Sequence, residues 1–147
     1  MKLTTRSRYG TRLLLDIALH SENGSPVPSK DTAAREKLSL KYLEKLIKML
    51  KQAGYVKGKR GPNGGNVLVR EPDDISIGEV ARILDGEEQV LGCEGDPSTC
   101  PRAAVCLKRS IWDDASLAMY KMLDSYSLAD LMKDANLCPE NPPKIDG

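Results

Sequence analysis

The chain has 147 residues, a length that suits one folded unit or a small module with an appendage. Apolar residues make up 40% and charged residues 29% of it, a composition typical of folded soluble proteins and not of disordered ones. No apolar run approaches the roughly 18 residues of a membrane span, and the start lacks the apolar region of a signal peptide. We therefore expect a cytoplasmic protein without membrane contacts, whose four cysteines are thiols or metal ligands and not disulfides.

The net charge of +1 conceals two halves of opposite sign. Residues 1–70 carry fifteen basic and five acidic side chains, whereas residues 71–147 carry seven basic and sixteen acidic ones. A solvated surface can show some asymmetry, but a change from +10 to −9 favours a polyanion as the partner of the first half. Nucleic acid is the main candidate, and only six aromatic residues argue against a stacking platform for single strands.

The first half has the pattern of a helix-turn-helix. Apolar residues at three- and four-residue steps predict a helix over residues 7–20. A short helix is expected over residues 29–37 with Ser29 as its N-cap. Ser39 should cap a third helix that runs to Ala53.

A hairpin is predicted after the third helix, which Gly54 should end in the left-handed conformation. Residues 55–57 and 66–69 are short β-type runs, and the Gly-rich loop between them is too long for a tight turn. Two helices joined by a short turn and followed by a hairpin with a basic tip predict a winged helix-turn-helix.

The second half is predicted to be helical. Ser76 and Glu79 have the spacing of a capping box, Pro101 suits the first position of a long helix to about Leu123, and a short helix should start at Ser127. The expected fold is therefore mainly α with a small β-hairpin wing. We expect a winged helix-turn-helix DNA-binding domain over 1–72, a cysteine-bearing sensor loop with dimerisation helices over 73–135, and an irregular tail over 136–147.

A helix-turn-helix places the N-terminal residues of its second helix against base edges in the major groove. Glu44 can accept a hydrogen bond from cytosine, and Lys45 can donate to guanine. Alternatively, the lysines are only the solvated face of an amphipathic helix. The predicted contacts from this helix are Ser39, Lys41, Tyr42, Glu44 and Lys45.

The Gly-rich loop after this helix favours DNA binding over that alternative. Arg60 at its tip suits a narrow minor groove, Lys59 suits a phosphate, and Gly61 permits backbone approach and positive φ. The loop lacks the Gly-Lys-Ser/Thr ending of a nucleotide-binding loop. Lys2, Arg6 and Arg8 complete the predicted DNA-binding set.

Three cysteines, Cys93, Cys100 and Cys106, lie close together in sequence, the third expected about one and a half turns into the long helix. Their thiolates suit an iron–sulfur cluster of 2Fe–2S or 4Fe–4S type and, less well, zinc. Incidental thiols and a thiol redox switch are the alternatives. The candidates for a further ligand are Cys138, Glu94 and Asp96, whereas His20, the only histidine, lies at the far end of the first helix.

Together these residues resemble the IscR/NsrR family of bacterial winged-helix regulators, which sense iron–sulfur status or nitric oxide. The resemblance rests on five features: Met1-Lys2-Leu3-Thr4-Thr5, Ser39-Leu40-Lys41-Tyr42-Leu43-Glu44, Arg60-Gly61-Pro62-Asn63-Gly64-Gly65, the three cysteines, and Trp112. It implies a homodimer that reads a roughly palindromic DNA operator, with the long helix crossing its partner. The implied apolar seam comprises Leu107, Ile111, Ala115, Met119 and Met122, with burial within one chain as the competing explanation.

The chain departs from the family pattern at several positions. Lys37 stands where the family usually has glycine in the turn before the recognition helix, which predicts a left-handed lysine or a different turn. Arg109 and Arg8 stand where different members supply a histidine or a partner's acidic residue to the cluster, so neither family solution for the remaining ligand transfers.

The sequence therefore predicts a dimeric DNA-binding transcriptional regulator, most often a repressor in such families, whose operator affinity depends on a cluster that responds to redox state or nitric oxide. The alternative is a winged-helix regulator controlled by a protein partner, a metabolite or thiol oxidation without a cluster. An electron carrier would leave the basic half unexplained. An enzyme is not expected, because no catalytic constellation of Ser, His and Asp or of carboxylates is evident.

Overall fold

The computed structural model describes residues 4–86, 102 and 105–135, without the side chains of residues 107–109. It confirms the predicted fold class, since the described residues form six α-helices and one two-stranded antiparallel hairpin. In chain order the elements are α1 (Thr5–His20), α2 (Ser29–Glu36), α3 (Leu40–Gln52), β1 (Val56–Lys59), β2 (Gly65–Leu68), α4 (Ile77–Asp85), α5 (Leu107–Asp124) and α6 (Leu128–Ala135). None of these helices is long and apolar enough to cross a membrane.

Helices α2 and α3 form the predicted helix-turn-helix, and Lys37 is the residue on which its turn depends. Lys37 has φ 53° and ψ 42°, a left-handed conformation, and its N–H donates to the carbonyl groups of Ala33 and Ala34. A left-handed residue with a side chain costs about 1–2 kcal/mol. Of the two expected outcomes at this position, the structure therefore shows the left-handed lysine.

The helix caps agree with the sequence patterns in three cases and differ in one. The Ser39 and Ser76 side chains accept hydrogen bonds from the first turns of α3 and α4 as predicted, and Ser127 exchanges bonds with Asp130 at the start of α6. The prediction that Ser29 caps α2 is wrong. Pro28 occupies the cap position, and the Ser29 hydroxyl accepts a hydrogen bond from Asn66 at 2.9 Å.

One continuous apolar core joins the two predicted halves of the chain. Its fully buried residues include Leu13 and Ile17 from α1, Leu46 from α3, Val80 from α4 and Leu128 from α6. Helices α1 and α4 cross closely at Gly10, where a Cβ would lie 2.1 Å from a Leu84 methyl carbon. The division at residue 72 stays a prediction, and α4 beyond it packs in the same core as the helix-turn-helix.

An ion pair that the sequence did not reveal, with a buried carboxylate and a partly exposed guanidinium, joins α1 to α2. The Arg35 guanidinium donates two hydrogen bonds, of 2.7 and 2.8 Å, to the carboxylate of Asp16, which is 4% exposed. Burial by itself raises the pKa of Asp16, but the bonds from Arg35 and Thr32, with the charge of Arg35, bring the pKa below its ordinary 3.8. The pair holds the last turn of α2, which leads into the turn of the helix-turn-helix, against α1.

The Asp16–Arg35 pair predicts a defined pH dependence of stability. A carboxyl whose folded-state pKa is lowered contributes stability that is complete above its unfolded-state pKa and is lost as the pH falls through the folded-state value. Asp16→Asn should therefore lower the free energy of unfolding by about 2 kcal/mol at neutral pH, since Arg35 loses its charged acceptor. The difference from wild type should shrink below the ordinary value of 3.8, where the wild-type carboxyl takes up a proton.

Urea unfolding of both proteins over this pH range measures the effect, with the exposed Asp73→Asn as control. A deficit for Asp16→Asn that stays constant with pH would contradict the assignment.

Candidate nucleic-acid interface and cysteine site

Helix α3 presents a charged face to solvent because its opposite face is part of the core. Leu43, Leu46, Ile47 and Leu50 are buried. On the opposite face Lys41, Glu44, Lys45 and Lys48 are exposed. Predicted contacts Lys41, Glu44 and Lys45 thus lie together on the solvent side, at the N-terminal end of the helix, beside the exposed Ser39.

Tyr42 has a packing role that the sequence did not indicate. Its ring meets the ring of Tyr9 edge to face, with centroids 6.1 Å apart and planes at 88°. The Arg12 guanidinium lies 5.4 Å from the Tyr9 centroid and forms a 2.6 Å ion pair with Glu36. The half-buried Tyr42 therefore anchors α3 to α1, and its predicted DNA contact depends on the part of the side chain that stays exposed.

The wing is a short hairpin with a tightly built tip. In its register Val56 pairs with Leu68 and Lys59 with Gly65, so both strands are displaced from the predicted runs by one or two residues. Gly61 has φ +119°, and the Gly64 N–H donates to the Gly61 carbonyl at 3.0 Å. A Cβ at Gly64 would lie 2.4 Å from the Lys59 carbonyl oxygen, so this turn requires glycine there.

A third chain segment pairs with β2 next to the tip of the wing, a feature that the sequence did not reveal. Val27 and Asn66 exchange two backbone hydrogen bonds of 2.8 and 2.9 Å. A Cβ at Gly65 would lie 2.4 Å from the Val27 carbonyl oxygen. The wing is therefore clamped to the segment before α2, and Arg60 at its tip is presented from a fixed support.

The predicted basic residues differ in how far they are engaged within the chain. Arg60 and Arg8 are exposed, whereas Lys59 donates to the Gly24 carbonyl at 3.4 Å. Arg6 donates to the Asp85 carbonyl at 3.3 Å, at the end of α4. Lys2 lies outside the described residues.

Uncompensated positive charge runs along α3 and the wing. Within the described ranges, no ion pair with an acidic side chain includes any of the basic residues of α3 and the hairpin. These residues are Lys41, Lys45, Lys48, Lys51, Lys57, Lys59 and Arg60. These seven basic residues outnumber Glu44, the acidic residue exposed on α3, and such an excess of positive charge attracts a polyanion, whose counterions are released on binding.

The cysteine site is described only at its last ligand. The prediction that the long helix begins at Pro101 is wrong, because α5 begins at Leu107 and the described residues before it are not α-helical. Cys106 is consequently the N-cap residue of α5 and is exposed, not placed inside the helix. Cys93, Cys100, Glu94, Asp96, Pro101 and Cys138 lie outside the described residues.

Of the three predicted cluster cysteines, only Cys106 belongs to the described part of the chain. Within that part, no group of three or more potential metal ligands occurs. His20 is engaged elsewhere, since its Nδ1 lies 2.8 Å from the Asp16 carbonyl oxygen and 3.3 Å from the Asp16 carboxylate.

An apolar face of α5 is exposed. Ile111, Ala115, Ala118 and Met122 follow steps of four, three and four residues and so share one side of the helix. Ile111 is 66% and Met122 63% exposed, which excludes burial within one chain as the explanation for these two residues. The other side, with Tyr120 and Asp124, packs towards α4 through Arg82.

Comparisons with known proteins agree with this architecture. The Rrf2 family, described as "Iron-dependent Transcriptional regulator", matches residues 3–134. Protein rrf2 of Nitratidesulfovibrio vulgaris is 52% identical over 141 residues, which cover 96% of this chain and 93% of the relative.

Two solved structures share the fold over nearly the whole chain. IscR of T. potens has a TM-score of 0.76 at 34% identity and covers 97% of this chain and 94% of its own. CymR of B. subtilis, described as the global cysteine regulator, has a TM-score of 0.69 at 34% identity, over 91% and 98%. These proteins are regulators and not enzymes, as expected from the sequence. Both the family match and these relatives lead to one conclusion: the chain belongs to the Rrf2 family of transcriptional regulators.

Proposed function

We propose that this chain is a homodimeric regulator that binds a specific double-stranded DNA operator through α3 and the wing. The observation that carries the proposal is the unpaired basic surface along α3 and the hairpin, which continues to a tight tip that the Val27–Asn66 bridge supports. A rigid donor loses little entropy on binding, so it contributes more to affinity than a mobile one.

The contacts divide into base-reading and positioning ones. The N-terminal end of α3 enters the major groove, where Glu44 reads cytosine, Lys45 reads guanine, and Ser39 and Lys41 meet phosphates. Arg60 enters the adjacent minor groove beside the close backbone approach that Gly61 permits. Lys59, Arg8, Arg6 and Lys2 add backbone contacts in this proposal.

Arg60→Ala tests the role of the wing. The variant should bind the operator about 1–3 kcal/mol more weakly than wild type if Arg60 reads groove width or bases, with a smaller effect on random duplexes. Fluorescence anisotropy with an operator selected from a randomised duplex pool measures both. Lys133→Ala removes the same charge from α6 and should leave operator affinity unchanged. An equal loss on operator and random DNA would contradict base or shape reading by Arg60.

The exposed face of α5 is the proposed dimer interface. A two-fold dimer presents two recognition helices about 34–36 Å apart, one turn of DNA, which matches a roughly palindromic operator. An apolar stripe along an 18-residue helix supplies a self-complementary surface for such a dimer. In this arrangement residues 73–135 join and orient the DNA-binding domains of residues 1–72, with the tail over 136–147 outside both.

Ile111→Asp tests the interface, because a charge in a buried apolar seam costs several kcal/mol. The variant should be monomeric in sedimentation-velocity experiments at concentrations where the wild type is a dimer. Leu117→Asp is the matched control, since Leu117 is 68% exposed but lies off the stripe. Dimerisation that survives Ile111→Asp and fails with Leu117→Asp would place the interface on the other side of α5.

We further propose that Cys93, Cys100 and Cys106 hold an iron–sulfur cluster whose presence controls operator affinity, and that the regulator is a repressor. Cys106 fits this role because its exposed thiol lies directly before the N-terminus of α5, where a negative charge is favoured. When bound, the cluster supplies a charged group that responds to redox state or nitric oxide. The chain's own contribution is to hold the start of α5 and the segment before it in one arrangement.

Anaerobic purification followed by visible absorption spectroscopy and iron and sulfide analysis tests the cluster. Wild type should be coloured and contain both elements, and Ser substitutions at Cys93, Cys100 or Cys106 should remove them. Cys138→Ser should keep the colour if the tail supplies no ligand. A colourless, metal-free wild type whose operator binding still responds to its signal would overturn cluster control.

Control by thiol oxidation without a cluster is the second candidate. The exposure of Cys106 favours it, as does the likeness to CymR of Staphylococcus aureus, a structure of which is described as an oxidized form. In that case peroxide should change the operator affinity of the metal-free protein, and Cys106→Ser should abolish the change.

A further inference from the structure

A compact junction joins α4 to the end of α5. We call it the α4–α5 junction, and it consists of residues 75–82 and 120–128. The Asp124 carboxylate accepts two hydrogen bonds from the Arg82 guanidinium, of 2.8 and 2.6 Å, and a third from the Ser76 hydroxyl at 3.1 Å. The bidentate geometry fixes direction as well as distance.

The backbones of the two segments are in direct contact at this junction. The Ile77 N–H donates to the Tyr126 carbonyl at 3.0 Å, and the Leu128 N–H donates to the Ile75 carbonyl at 2.9 Å. A Cβ at Gly78 would lie 2.1 Å from an Asp124 carboxylate oxygen and 2.9 Å from the Asp124 backbone nitrogen. Only glycine at position 78 therefore allows the end of α5 to approach α4 so closely.

Arg82 is itself held from a second side. Its guanidinium lies 4.7 Å from the centroid of the Tyr120 ring, one turn before Asp124 on the same helix. The hydrogen bonds from Arg82, and then from Ser76, hold the pKa of Asp124 below its ordinary value, so the pair stays charged at neutral pH. Arg82 of α4 thus contacts both Tyr120 and Asp124 of α5.

Stability alone does not account for this arrangement. The side chains of Arg82 and Asp124 are 38% and 40% exposed, and exposed ion pairs contribute little to folding. The core residues nearby, such as Val80 and Leu128, already hold the elements together. What the bidentate pair adds is a defined angle between α4 and α5.

We propose that Asp124 and Arg82 are positioning residues, which fix the angle at which α5 leaves the DNA-binding half and thereby the separation of the two recognition helices in the dimer. This inference rests on the proposed dimeric, operator-binding function. It assigns the control of half-site spacing to a pair that belongs neither to the predicted DNA-contacting residues nor to the predicted cluster ligands.

The length of α5 makes a small change at the junction matter. Eighteen residues at 1.5 Å each give a helix about 27 Å long, so a rotation of about 10° at one end moves the other by about 5 Å. This exceeds the rise of about 3.4 Å per base pair along DNA. A loosened junction should therefore reduce the preference of the dimer for one half-site spacing.

The experiment compares Asp124→Asn and Arg82→Lys with wild type on a duplex selected with the wild-type chain. Further duplexes carry one base pair inserted or deleted between the half-sites, and a last one carries a single half-site. Asp124→Asn should reduce the preference for the native spacing at least about fivefold and leave single half-site affinity unchanged. Arg82→Lys keeps the positive charge but loses the bidentate hydrogen bonds, and it should reduce the spacing preference less. If Asp124→Asn fails to fold, Arg82→Lys serves as the test.

Lys133→Ala is the control, because it removes an exposed ion pair with Asp130 on α6 outside this contact. It should retain the wild-type spacing preference. A lower thermal midpoint with an unchanged spacing preference in Asp124→Asn and Arg82→Lys would overturn the positioning role. A wild type without any spacing preference would overturn both the proposed dimer and this inference, so the two failures are distinguishable.

Discussion

Helix α1 crosses α4 at Gly10, where the missing side chain leaves room for Leu84, since a Cβ there would lie 2.1 Å from a Leu84 methyl carbon. This crossing sets the rest of the fold. Through Leu13 and Ile17 the same helix contributes to the core on which the helix-turn-helix packs. Protein interiors are close-packed and do not deform continuously, so α4 cannot shift without moving α1. The DNA-binding elements and the helices beyond residue 72 therefore share one mechanical unit, with the opposite face of α4 free to hold α5.

Two acidic residues of the first half are used internally, and within α3 Glu44 is the single acidic residue among the lysines. Asp16 and Glu36 pair with the arginines Arg35 and Arg12, which also fix α2 against α1. The planar guanidinium suits such paired, partly buried positions, whereas the compact and strongly hydrated ammonium of lysine is favoured at the surface. The lysines of α3 and the wing are thereby left without acidic partners within the described residues. Paired arginines thus fix α2 against α1, while exposed lysines supply most of the positive charge of the site.

Much of the candidate interface could be predicted from the sequence, because its elements are defined by neighbours in the chain. The exposed positions of Lys41, Lys45 and Arg60 follow from helical periodicity and from a Gly-rich tip. Tyr42 could not be predicted in the same way, since its packing against Tyr9 joins two helices far apart in sequence. The start of α5 was also misplaced, because a proline permits a helix start without requiring one.

The sequence by itself determined the helix-turn-helix, the cap of α3 and the basic face, because hydrogen bonds such as that of Ser39 reach only three residues along the chain. The tertiary structure alone decided which polar groups meet across elements. Ser29 has the residue type of an N-cap, yet Asn66, brought to it by the Val27 bridge, uses its hydroxyl. Asp16 pairs with Arg35 on the next helix, and Asp124 pairs with Arg82 where Gly78 allows α5 to approach α4 closely. Such pairings depend on the three-dimensional placement of whole elements, which local patterns do not encode.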